Sequence, residues 1–214
     1  MASTKLNLIN DVLERIGKLP VSNLGSAIGS NSLSGLVERM IDSADRELQA
    51  RGWHFNSKRN VQLTANADGR IIISTIEGPR EIFQIDSDAE DAHIDVVRRD
   101  SILFNLTDNT DQISSLKVQY SYKVDLTVDS GNDPVAPESF RNWVVAKAAR
   151  RFDRAYNKED RMMQVLMAEE QLAQSNFFRE EMRNADVRVL DTEDMAQIRG
   201  RRRTMNRSIF LSLI

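Results

Sequence analysis

The chain has 214 residues, of which 41% are hydrophobic and 29% are charged, a composition typical of a soluble globular protein with one large or two small domains. It contains no cysteine, which excludes disulfides and thiolate chemistry. Its formal net charge of -3 argues against a dedicated nucleic-acid-binding protein, because such proteins carry a strong basic excess. No stretch approaches the roughly 18 consecutive apolar residues of a membrane-spanning helix, so we expect neither export nor membrane insertion.

Two amphipathic helices are predicted in residues 1–56. Apolar residues recur in each at spacings of three and four, as on the buried face of a helix. In the first helix they are Leu6, Ile9, Leu13 and Ile16, and in the second, which begins near Ser32, they are Leu33, Leu36, Val37, Met40, Ile41, Ala44 and Leu48. We place the charged residues of the second helix, including Glu38 and Asp45, on its polar side. Because the connection is short, the two helices should pack as an antiparallel hairpin.

The segment 51–56 reads Arg-Gly-Trp-His-Phe-Asn and marks the change from helical to β periodicity. Gly52 can adopt the left-handed conformation that ends a helix. Trp53 and Phe55 can then fold back onto the helices, which makes this segment a joint between two structural layers. The alternative is an ordinary helix end with a buried tryptophan.

Residues 57–133 are predicted to form a β insert, because the period of the apolar residues changes to two. The last strand is the clearest, since Leu116, Val118, Tyr120 and Tyr122 alternate with polar residues that include Ser121. One face of this strand should be buried and the other solvated. The predicted strands are 60–64, 70–75, 80–85, 93–98, 101–106 and 116–126.

Residues 134–183 are predicted to form two further helices. The third begins at Pro137 and carries a basic stripe at positions i, i+3, i+4 and i+7. The fourth, about 158–183, is apolar on more than one side, and two interpretations stay open: a broad core-facing stripe, or a surface that meets another chain. The candidates for a subunit interface are Lys147, Arg150, Arg151, Arg154 and Phe178.

No catalytic, cofactor-binding or metal-binding residues are predicted. His54 and His93 lack the His or Cys partners that zinc requires, and the sequence has no glycine-rich phosphate-binding loop. Residues 86–91 are superficially similar to a calcium-binding loop, but Asp91 and Val97 stand where an EF-hand has glycine and glutamate. We interpret this segment as an acidic turn.

Several short motifs follow one another in a consistent order between residues 6 and 181. They are Asn-Asp-Val-Leu at 10–13, Pro-Val at 20–21, Leu-Gln-Ala-Arg-Gly-Trp-His-Phe-Asn at 48–56, Pro-Glu-Ser-Phe at 137–140 and Trp-Val-Val-Ala-Lys-Ala-Ala-Arg-Arg-Phe at 143–152. Together they resemble the tail tubular protein A family, the head-to-tail adaptors of T7-like short-tailed phages. The specific part of this match is the combination of Arg-Gly-Trp-x-Phe-Asn with Lys-Ala-x-Arg-x-Phe.

The resemblance implies a structural protein that is not an enzyme and has no cofactor. Its subunits would form a homo-oligomer, a dodecameric ring between the portal protein of the capsid and the tail nozzle, tail tubular protein B. The β insert would face the nozzle and the tail fibres, and DNA would pass through the ring without sequence-specific binding. We therefore expect the protein in the virion tail, in the host cytoplasm during assembly, and without a membrane partner.

The predicted fold class is α+β. Residues 1–56 and 134–183 would form an antiparallel four-helix bundle, with a β-sheet or barrel-like insert, residues 57–133, between its second and third helices. An extended C-terminal tail, residues 184–214, would follow, and its composition indicates that it does not fold by itself.

The C-terminal tail combines a run of arginines with an apolar hexapeptide at 209–214 that needs a partner to cover it. The resemblance implies that such an extension docks on the portal. Three interpretations of the arginines stay open: contacts with acidic grooves of a protein, contacts with DNA phosphates, or solvation without a specific partner. The predicted docking residues are Arg199, Arg201, Arg202, Arg203, Arg207, Ile209, Phe210 and Leu211.

Two rival functions stay open beside the adaptor. A DNA-binding module would use the third helix and the tail, and its affinity would fall steeply with salt. A carbohydrate-active enzyme would use a pair of carboxylates across a cleft of the β insert. The acids that could supply such a pair include Asp86, Asp91, Asp108 and Asp111.

Overall fold

The computed structural model describes residues 4–22, 32–76, 78, 80–88, 91, 93–127, 136–157 and 160–189, with the side chains of the last helix described to Arg183. The helices and strands in these ranges form an α+β fold. In chain order they are α1 (Lys5–Arg15), α2 (Leu33–Gln49), β1 (Ser57–Thr64), β2 (Ile82–Ser87), β3 (Val96–Arg99), β4 (Ile102–Asn105), β5 (Ser115–Tyr122), α3 (Glu138–Phe152) and α4 (Asp160–Val189).

Local sequence explains where the helices begin. The side chains of Thr4 and Ser32 accept hydrogen bonds from the backbone N–H groups of Asn7 (3.3 Å) and Gly35 (3.2 Å), and so satisfy donors that an α-helix leaves unpaired at its first turn. Helix α3 begins at Glu138, one residue after the predicted start, and Pro137 is its N-cap. A π-helical turn, Asp153–Asn157, follows α3, and α4 continues to Val189, beyond the predicted end at residue 183.

Helix α3 is the central helix of the fold. It packs against α4, α2 and α1, and α1 also packs against α2. The predicted antiparallel four-helix bundle of the N- and C-terminal thirds is therefore wrong, because in such a bundle α4 would pack along a second long helix as well. Instead α4 packs against α3 and the 3₁₀ turn His54–Asn56, since Trp53 and Phe55 lie against Phe177 on the buried face of α4.

The strand region separates α2 from α3 and forms two antiparallel sheets in the described residues. The larger sheet has the order β1-β5-β2, and β3 pairs with β4 in a two-stranded sheet. These are open sheets, so the barrel-like part of the prediction is also wrong. The register of β1 shifts between Lys58 and Val61, where Asn60 has a φ angle of 55°, and this irregularity bends the edge of the larger sheet.

Five of the six predicted strands form, with shifted ends, and the largest differences are at 70–75 and at the end of the last strand. Residues 70–75 form an isolated bridge between Ile72 and Ile102 followed by a 3₁₀ turn, Ile73–Thr75, instead of a strand. The last strand ends at Tyr122 and not at residue 126, because the N–H and C=O groups of Val124 bond to the side chain of Gln49 and not to a neighbouring strand.

The core joins the helices to the larger sheet in one hydrophobic cluster. The alternation predicted for β5 is confirmed for Leu116, Val118, Tyr120 and Tyr122, which are all buried. Ser121, predicted to face solvent, is also buried. The placement of Glu38 and Asp45 on the polar side of α2 is likewise wrong, since their exposed fractions are 6% and 3%.

Candidate functional site

The joint between the helices and the sheet begins where α2 ends. Gly52 has a φ angle of 72°, and its N–H group donates to the carbonyl of Gln49 (3.1 Å). A Cβ at this position would lie 3.4 Å from Oγ of Ser57, an ordinary contact distance, so the backbone conformation and not the lack of space requires glycine. The prediction that Gly52 adopts the left-handed conformation at the end of the second helix is therefore confirmed.

An aromatic cluster holds the joint against α3 and α4. Trp53 makes an edge-to-face contact with Phe177 of α4, with ring centroids 4.9 Å apart, and lies 6.0 Å from Trp143 of α3. Phe55 lies 4.9 Å from Phe140, also of α3. The indole N–H of Trp53 donates to the carbonyl of Leu48 (2.7 Å), so this partly buried side chain keeps a hydrogen-bond partner for its polar group.

A buried polar clamp, centred on Gln49, ties α2 to the end of β5. The side chain of Gln49 is fully buried, and its Nε2 donates to the carbonyl of Val124 (2.7 Å) while its Oε1 accepts from the N–H of Val124 (2.7 Å). Nδ2 of Asn56 donates to the carbonyls of Gln49 (2.9 Å) and Tyr122 (3.2 Å). These bonds replace the strand pairing that β5 loses at its end, and they fix the β region to the helices.

Sequence reasoning missed this clamp. Its signal was the i, i+4 pair Asp45 and Gln49, which lies at the edge of the apolar stripe of α2, next to Ala44 and Leu48. Nε2 of Gln49 donates to Oδ1 of Asp45 (2.6 Å). Burial raises the pKa of Asp45 to about 6, although the hydrogen bond from Gln49 and the charge of Lys123 act in the opposite direction.

The predicted basic stripe of α3 contacts acids of the same subunit. Nζ of Lys147 lies 2.7 Å from Glu47 of α2, which Arg151 also contacts, and Arg150 pairs with Glu170 of α4. The hydrogen bond from Lys147, with a smaller contribution from Arg151, lowers the pKa of Glu47. These pairs connect α3 with both of its neighbouring helices.

The remaining candidate interface residues, Arg154 and Phe178, differ in exposure. Arg154 is exposed in the π-helical turn, whereas Phe178 packs against Trp53 and Trp143, at centroid distances of 5.8 and 5.6 Å. Whether the basic stripe or Phe178 also meets a second subunit stays a prediction. All the predicted docking residues of the tail, from Arg199 to Leu211, lie outside the described residues.

One side of α4 is apolar and exposed. The exposed fractions are 50% for Val165, 64% for Leu172 and 68% for Met182. Val165 and Leu172 are separated by seven residues, which is two helical turns, so they lie on the same side of α4. The buried residues Leu166 and Phe177 face α3 and the joint on the other side. Exposed apolar side chains therefore lie outside the buried face of α4, and whether they meet another chain stays a prediction.

Three of the four candidate acids of the β insert form hydrogen bonds or ion pairs with other residues of the insert. Asp91 accepts from the N–H of Lys117 (2.8 Å), Asp108 accepts from the amide of Asn105 (2.9 Å), and Asp111 pairs with Arg70 (2.7 Å). Asp86 lines a cleft on the larger sheet. Within the described ranges there is no group of three or more His, Asp or Glu side chains that could hold a metal ion.

The N–H of His54 donates to Oε1 of Glu181 (2.8 Å), and the imidazole contacts the same carboxylate. This histidine therefore connects the joint to α4. His93, the second histidine, is exposed and precedes β3.

Comparison with known proteins identifies the family. A family model described as tail tubular protein matches residues 6–187. This range covers every described helix and strand except the first residue of α1 and the last two residues of α4. A search of curated proteins gave no match. No helix in the described part of the chain has both the length and the hydropathy of a membrane span. The chain belongs to the tail tubular protein family, a family of structural phage tail proteins located in the virion tail.

Proposed function

We propose that this protein is an adaptor that forms a ring, a dodecamer, between the portal protein and the tail nozzle, tail tubular protein B. DNA would leave the capsid through this ring without sequence-specific binding, and tail fibres would contact the β region. Membership of the tail tubular protein family supports a role in tail assembly. The motif at 48–56 and the motif at 143–152, which resemble the head-to-tail adaptors, support this position in the tail.

The observation that carries the proposal is the exposed apolar side of α4. Val165 and Leu172 lie on the same side of α4 and are at least half exposed, and neighbouring exposed apolar side chains on a helix are typical of a surface that another protein covers. A ring requires that one surface of each subunit binds a different surface of the next one. The exposed side of α4 supplies one of these two surfaces.

The second surface would come from another part of the helical layer. Arg154 and the turn after α3 are exposed, and the aromatic Tyr156 in the same turn is 50% exposed. The ring would bind the portal through residues 199–211, whose arginines and apolar side chains suit a protein surface with acidic and apolar patches. This division leaves the β region available for the nozzle.

The proposal is tested by measuring the mass of the purified protein with and without portal, using mass photometry. We expect rings of the wild-type protein on the portal. Leu172→Arg places a charge at the centre of the apolar side of α4 and should prevent ring formation, because an unpaired charge is costly to bury in an interface. Gln62→Arg, at an exposed position of β1, is the matched control and should assemble normally.

Circular dichroism would check that both variants remain folded. Ring formation by Leu172→Arg at the wild-type concentration would show that α4 is not the subunit interface. A wild-type protein that stays monomeric and does not bind the portal would contradict the adaptor role itself.

A further inference from the structure

A cleft of about 170 Å³ lies on the larger sheet, beside the joint that follows α2. Gln84, Gln119 and Ser121 of strands β2 and β5 line it, together with Gly52. These side chains are on the face of the sheet opposite the buried Val118 and Tyr120, because successive residues of a strand point to opposite faces. These three side chains therefore point away from the core residues of β5.

At the bottom of this cleft lies a hydroxyl group that lacks a partner. Ser121 is only 3% exposed, and among the described residues its Oγ has no hydrogen-bond partner. A hydroxyl buried in this way costs free energy, unless a bound group satisfies it. A Cβ on Gly52 would lie 3.8 Å from this Oγ, so the glycine keeps the space above the hydroxyl open.

Cationic side chains surround the cleft. Arg51, Lys58 and Arg59 line it and are exposed, whereas Asp86 is the acid among the lining residues. Arg51 and Lys58 border the cleft and lie beside aromatic rings, since Arg51 is 5.8 Å from the ring centre of Trp143 and Lys58 is 5.2 Å from that of Tyr122, which is on the opposite face of the sheet. Within the described part of the chain, Arg59 makes no ion pair. The lining therefore offers an excess of positive charge and several hydrogen-bond donors.

We propose that this cleft binds a carboxylate group from an acidic segment of a protein partner. A guanidinium binds a carboxylate with two parallel hydrogen bonds, and the serine hydroxyl and the glutamine amides can donate further ones. Aspartate and glutamate carry such a carboxylate on a slender and flexible stem. Phosphates of duplex DNA lie on a stiff rod, and the net charge of -3 also disfavours DNA.

This proposal rests on the proposed function in one respect, namely that the protein partner is another component of the tail. Carboxylate binding can be measured on the isolated protein, so its failure would not affect the ring-assembly test. The probe is glutamate capped as N-acetyl methylamide, titrated into ¹⁵N-labelled protein, and the matched control ligand is the capped glutamine. We expect saturable shifts of the amide signals of Gly52 and Ser121 with glutamate and none with glutamine.

Two variants test the assignment of the cleft residues. Arg59→Ala and Ser121→Ala should each weaken binding of the capped glutamate by about tenfold, the effect of losing a hydrogen bond to a charged group. Ser121→Ala should leave the urea midpoint unchanged or raise it, because the lost hydroxyl is unsatisfied in the free protein. Matched controls are Arg161→Ala on α4 and Ser114→Ala before β5, which should bind like the wild type.

Three results would overturn the proposal. They are no binding of glutamate by the wild type, equal binding of glutamine, and unchanged affinity in both cleft variants. An oligothymidylate is titrated in parallel at two salt concentrations. Binding of this DNA at the same amide signals, without binding of glutamate, would assign the cleft to nucleic acid and reject the carboxylate.

Discussion

Replacement of Gln49 by alanine should separate the β region from the helices. The substitution removes both hydrogen bonds between this side chain and the peptide groups of Val124, which is 1% exposed, and leaves an N–H and a C=O buried without partners. Each such group costs about 1–3 kcal/mol. The bond to Asp45 is also lost, and we therefore expect a decrease of about 4 kcal/mol in the free energy of unfolding.

Urea denaturation followed by tryptophan fluorescence measures this change. Trp53 and Trp143 are the two tryptophans of the chain, and both lie in the aromatic cluster beside the clamp, so the signal reports directly on the joint. For a protein of this size the loss corresponds to a decrease in Tm of roughly 10 °C. Gln62→Ala, at an exposed position of β1, is the control and should change the stability by less than about 0.5 kcal/mol.

Gln49→Glu provides a second test of the same reasoning. A carboxylate keeps an acceptor for the N–H of Val124, but it places a second oxygen against the carbonyl of Val124 and against Asp45. The loss of stability should therefore be large at pH 7 and smaller at pH 5, where carboxyl protonation restores a donor. A Gln49→Ala variant within about 1 kcal/mol of Gln62→Ala would refute the clamp as a major source of stability.

Three further predictions follow from the structure. Because the pKa of Asp45 in the folded protein is raised to about 6, ionisation of this carboxyl lowers the stability of the fold above that pH. Asp45→Asn should therefore raise the free energy of unfolding by up to about 3 kcal/mol at pH 7, and this gain should vanish as the pH falls to about 4. Urea denaturation at several pH values measures the change. Gly52→Ala should lower the free energy of unfolding by roughly 1–2 kcal/mol, because residue 52 has a left-handed backbone conformation, and Gly52→Asn should lower it less. Equal decreases in Tm for the two variants would contradict this explanation. Deletion of residues 199–214 should abolish attachment to the portal without unfolding the monomer, and pull-down with portal combined with circular dichroism would test it; retained attachment would reject docking through the tail.

The helices and most strands could be predicted from local patterns. The apolar stripe of α2 and the alternation in β5 are strong periodic signals, and Gly52 marks the helix end because its backbone conformation is required there. The segment 70–75 misled the prediction, because Ile71 and Ile73 are both buried, as alternate residues of a strand are, although Ile73 begins a 3₁₀ turn. The interface residues on α3 and α4 and the docking residues of the tail stay predictions.

The partners of buried polar groups could not be predicted in the same way. Asp45 and Glu38 are typical of a solvated helix surface, yet both are buried, because Gln49 bonds to Asp45 and Lys5 of α1 pairs with Glu38. Arg150 was a candidate for a subunit contact but pairs with Glu170, which is twenty residues away in sequence. Each of these contacts depends on how two elements approach each other, which local periodicity does not specify.

The sequence by itself determined the α+β class, the joint at Gly52 and the resemblance to tail tubular proteins. These depend on backbone conformation and on the spacing of apolar residues, which act over a few positions along the chain. The tertiary structure alone decided that α3 is the central helix and that no four-helix bundle forms. The physical reason is that Trp53 and Phe55 pack against Phe177 on the buried face of α4, and only the packing of distant residues determines which apolar surfaces meet.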